Sequence, residues 1–186
     1  MKKYKVLFDS IDDSKVRKIY ETNFNDSETV FDSEISFNVF CKKVIQVWNK
    51  HVHEISSSAK FDYYRHQILS ENEKTIATSW GGVVLDEVIV PRIKKFLVVD
   101  KSKYLSLEIH EEKEEKITIV SGVGLLLRKK LKKGELEAIL LQTGDEVEFA
   151  PLIEHCVIGL ENLLIYENSL DHKGMDQDLI FIYQPS

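Results

Sequence analysis

The chain has 186 residues, of which 43% are hydrophobic and 30% are charged, and it contains only 3 prolines and 8 glycines. These proportions are typical of a globular protein and exclude the fibrous and intrinsically disordered classes. The formal net charge is −6, from 31 acidic and 25 basic residues. This acidic balance argues against general binding to nucleic acid or to an anionic membrane surface.

The amino terminus, Met1 to Val6, has no long apolar stretch followed by a small-residue cleavage site. Cys41 and Cys156 are the two cysteines, and they lie far apart in sequence, as is usual for free thiols in a reducing compartment. No window approaches the roughly 18 consecutive apolar residues that a membrane-spanning helix needs. The sequence therefore predicts a cytoplasmic protein with neither a membrane nor a nucleic acid as partner.

The first part of the chain, roughly residues 1–73, has a helical pattern. Between Ser33 and Ser56 the apolar residues recur at steps of three and four, as on one face of a helix. Ser33 or Ser36 can cap that helix. A short strand is expected at Tyr4 to Phe8. We predict that residues 1–73 form an α-rich amino-terminal extension without a chemical motif.

From about Thr75 the pattern changes to short runs rich in Val, Ile, Leu and Tyr, which are typical of β-strands. These runs are Val83–Val90, Ile93–Val99, Tyr104–His110, Ile117–Val120, Gly124–Leu127, Leu136–Leu141, Glu146–Phe149 and Leu163–Tyr166. Their connectors are too short for a crossover helix, so antiparallel hairpins are expected. The succession predicts a mainly β fold, with an antiparallel barrel or jelly roll over residues 74–186, because closure removes exposed sheet edges.

One predicted strand carries two potential metal ligands. Glu108 and His110 are two residues apart, so both project to one face of an extended strand. After a polar turn the chain returns with Glu115, which can lie opposite that pair, and His155 begins a later strand. Imidazole and carboxylate together suit Zn²⁺, Mn²⁺, Fe²⁺ or Co²⁺. The alternative interpretation is a solvated acidic turn beside an unrelated histidine.

The segment Leu105–His110, followed by Glu115 and then Ile119–Gly122, resembles the first motif of the cupin superfamily. It is similar in particular to the cupin domain of type II mannose-6-phosphate isomerases, where the stretch reads Leu-Ser-Leu-Gln-x-His, then Glu, then a Val-rich strand ending Ser-Gly. Three further segments stand where that family has a Trp-Gly, a Lys-containing strand and its second motif, namely Trp80-Gly81, Ile93–Val99 and Thr143–Pro151. The resemblance covers about residues 78–168 and implies a cupin-type jelly roll.

The resemblance also implies a divalent metal ion as cofactor, with Zn²⁺ expected first and Mn²⁺ or Fe²⁺ as alternatives. The implied metal ligands are Glu108, His110, Glu115 and His155. A second alignment, on the family's Leu-Glu-Asn, would put Ile158 at the last of these positions and leave the site with one imidazole.

The sequence departs from the family pattern at several positions. Glu111 and Glu112 replace two histidines of the family's run of three, and Glu108 replaces a Gln. Lys113 replaces an Arg, Lys116 replaces a His, and Cys156 stands where the family has an Arg. These changes bear on catalysis more than on the fold.

Three functions follow from these residues. In a sugar-phosphate isomerase of the mannose-6-phosphate type, a metal ion polarises the sugar oxygens and a base moves a proton, with Glu115, Lys113 and Lys116 as catalytic candidates and Lys95 as a substrate-binding cation. The second function is a non-catalytic cupin that binds a sugar, a sugar phosphate or a partner protein. The third is a metal-dependent dioxygenase. The expected partner is a sugar phosphate or another small molecule, and a homodimer is the oligomeric state to test.

Overall fold

The computed structural model describes residues 2–51 and 74–186. In these ranges the chain forms thirteen strands and two helices, and neither helix combines the length and hydrophobicity needed to cross a membrane. The helices are α1 (Ser14–Asn23) and α2 (Glu34–His51). The strands are β1 (Tyr4–Leu7), β2 (Val30–Phe31), β3 (Thr75–Thr78), β4 (Gly81–Ile89), β5 (Arg92–Val99), β6 (Leu107–His110), β7 (Glu114–Ser121), β8 (Val123–Lys129), β9 (Glu135–Gln142), β10 (Glu146–Phe149), β11 (His155–Gly159), β12 (Leu163–Leu170) and β13 (Leu179–Tyr183).

The strands build two sheets. The first sheet has the strand order β13-β6-β11-β8-β9-β1-β2, and the second has the order β10-β7-β12-β5-β4-β3. Paired strands are antiparallel except for β1 and β9, which run parallel. The mainly β, jelly-roll architecture expected from the strand pattern is confirmed.

The core between the two sheets is apolar, and it is built from alternate residues of the strands. In β8, Leu126 belongs to this inner core, whereas Leu125 and Leu127 belong to a second core on the outer face of the first sheet. All three are completely buried. The sequence of a strand that is covered on both faces is a continuous apolar run, and β8 has this pattern.

The amino-terminal segment supplies the cover on the outer face. Residues of α1 and α2, among them Tyr20, Phe40 and Trp48, share one core cluster with Leu127 and Ile158 of the first sheet. The strands β1 and β2 extend the same sheet through the pairing of β1 with β9. The predicted extension is thus a layer that packs directly on the barrel.

The local signals of this segment explain its elements. The side chain of Asp13 accepts hydrogen bonds from the backbone N–H groups of Lys15 and Val16, which caps α1, a helix that the sequence pattern did not predict. The predicted helix begins beyond Ser33, whose Oγ accepts from the N–H of Ser36 at 3.3 Å. The end predicted for it at Ser56 lies outside the described residues.

Removing the largest side chain of the helical layer tests whether that layer and the barrel unfold together. Trp48 is 1% exposed, and its indole N–H donates to Oε1 of Glu161 at 3.0 Å. We expect Trp48→Ala to lower the free energy of unfolding by roughly 3–5 kcal/mol because a large cavity opens between the layers. Urea denaturation monitored by circular dichroism measures this change.

The matched control is Ile35→Ala, on the same helix but 80% exposed, for which we expect a change within about 0.5 kcal/mol. A loss for Trp48→Ala as small as that of the control, or a separate helical transition, would contradict the idea of one cooperative unit.

Candidate metal centre

Strand alternation brings the four predicted ligands into the space between the sheets. Leu107 lies in the outer core, so the side chains of Glu108 and His110 point inward from the same strand. In β11, Cys156 and Ile158 lie in the outer core, which turns His155 inward, and His155 is the backbone pairing partner of Glu108. These inward side chains line a single cavity.

The cavity has a volume of about 350 Å³ and a divided lining. Most of its wall is apolar and comes from the inner core, including Leu97, Leu105, Ile117, Phe149 and Ile165. The polar part includes eight charged and imidazole side chains, namely Lys95, Glu108, His110, Lys113, Glu115, His155, Glu167 and Asp176. A cavity of this kind accepts a small molecule whose polar atoms meet one group of side chains.

Glu108, His110 and His155 form the centre of the polar part. One ligand atom from each of the three lies within 4.8 Å of the other two. The distance from Nε2 of His155 to Oε1 of Glu108 is 3.9 Å. Two imidazoles and a carboxylate in this arrangement are a donor set for a divalent transition-metal ion with open positions for water or substrate.

Glu115 lies beside this trio. Its Oε2 is buried without a hydrogen-bond partner, although it is 3.7 Å from Nε2 of His155 and 3.9 Å from Nε2 of His110. A buried carboxylate oxygen without a hydrogen bond is costly, and a cation between these three atoms would give it a partner. The residues present therefore fit a divalent metal ion.

Both histidines are held in the tautomer that metal binding requires. Nδ1 of His110 donates to Oδ1 of Asp178 at 2.9 Å, and Nδ1 of His155 donates to the carbonyl oxygen of Ile153 at 3.0 Å. In each ring the lone pair on Nε2 is left to face the cavity. Carboxylate and carbonyl acceptors on the far nitrogen are the usual supports of metal-binding histidines.

Asp178 is itself fixed by the backbone. Its Oδ2 accepts the N–H groups of Glu112 at 2.9 Å and of Lys113 at 2.8 Å. Burial acts to raise the pKa of Asp178, but these two hydrogen bonds and the one from His110 outweigh it and lower the pKa to about 2. Asp178 therefore stays ionised and orients His110 throughout the physiological pH range.

The electrostatics of the polar part favour a bound cation. Burial, followed by the nearby charge of Glu115, raises the pKa of Glu108 to about 8. Burial, followed by the charge of Glu167, raises the pKa of Glu115 to about 7, and burial lowers the pKa of His155 to about 4. Near neutral pH the metal-free site thus holds a neutral His155, a protonated Glu108 and a partly protonated Glu115, and a divalent ion would displace these protons.

Of the three lysines predicted to act at the site, two lie in the cavity and one lies on the outer face of β7. Lys95 and Lys113 are buried in the cavity lining, where both contact Glu167 and Asp176. Lys116 pairs with Glu146 at 2.9 Å and its side chain is 40% exposed. Because it is the neighbour of the inward-facing Glu115, Lys116 faces the opposite side of β7, and its position gives no support to a catalytic role.

Three side chains at the site were not predicted from the sequence, namely Glu167, Asp176 and Asp178. Glu167 has the same parity in β12 as the buried residues Leu163 and Ile165, so a charged residue facing inward could have been noticed. Asp176 and Asp178 lie between the last two strands, where no periodic pattern indicated their direction. Only the tertiary fold brings Asp176 to the cavity and Asp178 to Nδ1 of His110.

The two alignments of the second motif are also distinguished by the fold. His155 lines the cavity, whereas Ile158 is fully buried in the outer core against the helical layer. Cys156 turns its Sγ to the same side and donates to the carbonyl oxygen of Leu105 at 3.3 Å. The residue at this position therefore does not present its side chain to the cavity.

No protein-family model and no curated protein matches the chain. Among solved structures, CapF in complex with the inhibitor 3-isopropenyl-tropolone aligns with a TM-score of 0.52 and 15% identity over 59% of this chain and 33% of that one. A mutant of Bacillus subtilis oxalate decarboxylase OxdC aligns with a TM-score of 0.50 and 21% identity over 61% of this chain and 31% of that one. A structure of the Bacillus subtilis enzyme from work on its Mn(II) centres gives a TM-score of 0.50 and 19% identity over 62% and 31%.

The matched part of this chain thus spans about a third of each of those proteins. At these identities the likeness shows the fold alone, and that fold is the cupin jelly roll. Within this fold, Glu108, His110 and His155 converge as a candidate metal site.

Replacing a ligand tests the metal centre directly. We expect His110→Ala to lose stoichiometric binding of Zn²⁺ or Mn²⁺ because the trio is reduced to two donors. Elemental analysis after reconstitution and dialysis measures the bound metal. The control is His172→Ala, which removes an exposed histidine outside the cavity and should leave the metal content unchanged. Equal metal content in the two variants would refute the assignment.

The raised pKa of Glu108 predicts how the stability of the metal-free protein depends on pH. The folded state prefers the protonated carboxyl, so its contribution is complete below the ordinary pKa of 4.5 and is lost as the pH rises through about 8. Glu108→Gln keeps the shape and removes the charge. We expect this variant to be more stable than the wild type at pH 9, by roughly 1–3 kcal/mol, and nearly equal at pH 5.

Thermal unfolding with a chelator present measures this difference across the pH range. The exposed Glu111→Gln, which makes the same substitution outside the cavity, should show no such trend. A Glu108→Gln variant that is destabilised equally at pH 5 and pH 9 would show that the ionised carboxylate is satisfied in the metal-free fold.

Proposed function

We propose that the chain is a metal-dependent cupin enzyme that shifts a proton between adjacent oxygen-bearing carbons of a small hydroxy-carbonyl compound. The observation that carries the proposal is the convergence of Glu108, His110 and His155, with the unpaired Oε2 of Glu115, on one side of a cavity of about 350 Å³. Interconversion of mannose 6-phosphate and fructose 6-phosphate is the first reaction to test, because the first motif resembles that isomerase family.

A divalent ion at this site would supply Lewis-acid polarisation of the substrate oxygens. Glu108, His110 and His155 would hold it. Glu115 is the candidate for moving the proton, because burial and the charge of Glu167 raise its pKa to about 7, where a carboxyl group can both accept and donate. Lys113, whose Nζ is 3.7 Å from Oε2 of Glu115, stabilises the ionised form of that group.

The apolar residues of the cavity would favour this chemistry by excluding water. Trp80, Leu97 and Ile165 surround the space next to the charged side chains and limit the access of water. A lower local dielectric strengthens each charge interaction with the substrate.

A non-catalytic binding protein is the second candidate, and one observation favours it. Lys95 and Lys113 are both engaged by carboxylates in the cavity, so neither presents a free ammonium group to a phosphate. Cys156, at the position of an arginine in the isomerase family, points away from the cavity. A phosphorylated sugar would therefore lack the cations that the isomerases use.

A coupled isomerase assay of the Zn²⁺- and Mn²⁺-loaded protein separates the two candidates. For an enzyme, we expect Glu115→Gln to lower turnover by about 100-fold or more because the amide cannot exchange a proton. The exposed Glu148→Gln is the matched control and should keep full activity. Metal content decides the role of Glu115, since a variant that retains metal but not turnover identifies a base.

Calorimetry with the same sugar phosphates completes the test. Heat of binding without turnover in the wild type would support the non-catalytic candidate. Neither binding nor turnover with any hexose or hexose phosphate would contradict both.

A further inference from the structure

Two buried ammonium groups in the cavity share one carboxylate. The side chains of Lys95 and Lys113, called the lysine pair below, are only 6% and 1% exposed. Asp176 bridges them, because its Oδ1 accepts from Nζ of Lys113 at 2.7 Å while its Oδ2 contacts Nζ of Lys95. The lysine pair is thus arranged to hold the two oxygens of a carboxylate, one on each nitrogen.

A second carboxylate on the lysine pair is part of the barrel. Glu167 lies on β12 and is 1% exposed, with Oε1 2.7 Å from Nζ of Lys113 and Oε2 3.3 Å from Nζ of Lys95. Ser169 donates a further hydrogen bond to its Oε1 at 3.0 Å. With Glu167 fixed, the two ammonium groups keep one net positive charge, which Asp176 neutralises. The place held by Asp176 therefore suits a single negative charge.

Asp176 differs from Glu167 in that it comes from a loop. This loop, residues 171–178, joins β12 to β13, and the side chain of Asp176 is 25% exposed. Met175 and Asp176 have φ angles of 53° and 58°, a left-handed conformation that costs about 1 kcal/mol or more for a residue other than glycine.

The ends of the loop are anchored independently of the lysine pair. Asp171 is 1% exposed and accepts the N–H groups of Gly174 and Asp176, and Asp178 is held by His110 and the backbone. A rotation of the Asp176 side chain toward solvent would therefore leave both ammonium groups with Glu167 as their shared carboxylate while the loop backbone stays in place.

From this geometry we propose that Lys95 and Lys113 form a binding site for the carboxylate of a small hydroxy acid, and that Asp176 is the internal group which such a ligand replaces. The ligand carboxylate takes the two nitrogen positions now used by Oδ1 and Oδ2. A phosphate dianion fits this site less well, because the lysine pair and Glu167 leave one positive charge to be matched.

The lysine pair also fixes how the ligand is oriented, and this part rests on the proposed function. Oε2 of Glu115 is 3.7 Å from Nζ of Lys113 and 3.7 Å from Nε2 of His155, so it lies between the lysine pair and the imidazoles. A carboxylate bound to the lysine pair would therefore lie beside Glu115, and Glu115 in turn adjoins the metal ligands. We expect the hydroxyl-bearing end of the ligand to extend toward the metal centre.

Binding of glycolate to wild type and to Asp176→Asn tests the proposal. Asparagine tolerates the left-handed conformation as aspartate does, so this variant removes the charge without adding backbone strain. If Asp176 competes with the ligand, we expect Asp176→Asn to bind glycolate at least about tenfold more tightly. In this variant the ligand no longer has to displace a carboxylate from the two ammonium groups. Chemical shifts of the backbone amides of residues 171–178, titrated at constant ionic strength, report the affinity.

The controls isolate the lysine pair. Glu111→Gln removes one negative charge from the nearby surface, where it pairs with Lys173, and should not alter the affinity. The double variant Lys113→Met with Asp176→Asn leaves Lys95 paired with Glu167 and should lose the gain. An unchanged or weaker affinity in Asp176→Asn, or a gain that survives in the double variant, would overturn the proposal.

Two further arms decide the ligand class and the dependence on metal. Inorganic phosphate in place of glycolate should bind Asp176→Asn more weakly than glycolate does, and tighter binding of phosphate would overturn the assignment to carboxylates. The titrations are run with a chelator and again with Zn²⁺. A tenfold gain in the metal-free protein supports the lysine site even if the metal centre fails its own test, so the two failures remain distinguishable.

Discussion

The cavity depends on one constraint, which is that it lies between two sheets, the first of which is also covered on its outer face by the helical layer. In β11 the helical layer takes Cys156 and Ile158, so His155 and Val157 must face the opposite sheet. Charged side chains that face inward then have little access to bulk water, and each needs an opposite charge, a hydrogen bond or a bound ion. The charge network of the cavity follows from that requirement.

Positive and negative side chains are distributed unevenly along the cavity. The ammonium groups of Lys95 and Lys113 are matched by Glu167 and Asp176, whereas Glu108 and Glu115 lie beside two imidazoles. Without a cation, burial favours the protonated forms of the second pair of carboxyl groups, as their raised pKa values indicate. One end of the cavity is thus suited to an anion and the other to a metal ion, which is the arrangement expected for a ligand bound at two points.

Much of the fold and part of this site could be predicted from the sequence, because both follow from a period of two along the strands. The pairing of Glu108 with His110 on one face needs only that period. Each predicted run overlaps an observed strand, although the run Tyr104–His110 is a strand only from Leu107, and β3 and β13 were not predicted. The same alternation along β7 predicts that Lys116, next to the inward-facing Glu115, points to the outer face of the sheet. What could not be predicted is the direction of Asp176 and Asp178, since a loop without periodicity is oriented by contacts such as the hydrogen bond from His110.

The amino-terminal segment has a physical connection to the metal centre through the residue next to a ligand. Glu154 is 1% exposed, it pairs with Lys2, and its carbonyl oxygen accepts the N–H of Lys129 at 2.8 Å. Tyr183 of the last strand donates to the carbonyl oxygen of Lys2 at 2.8 Å, which ties the same end of the chain to β13. These contacts hold the backbone just before His155 from outside the cavity. The contacts of Lys2, which precedes β1, therefore support the position of a candidate ligand at the start of a strand, where fraying is easiest.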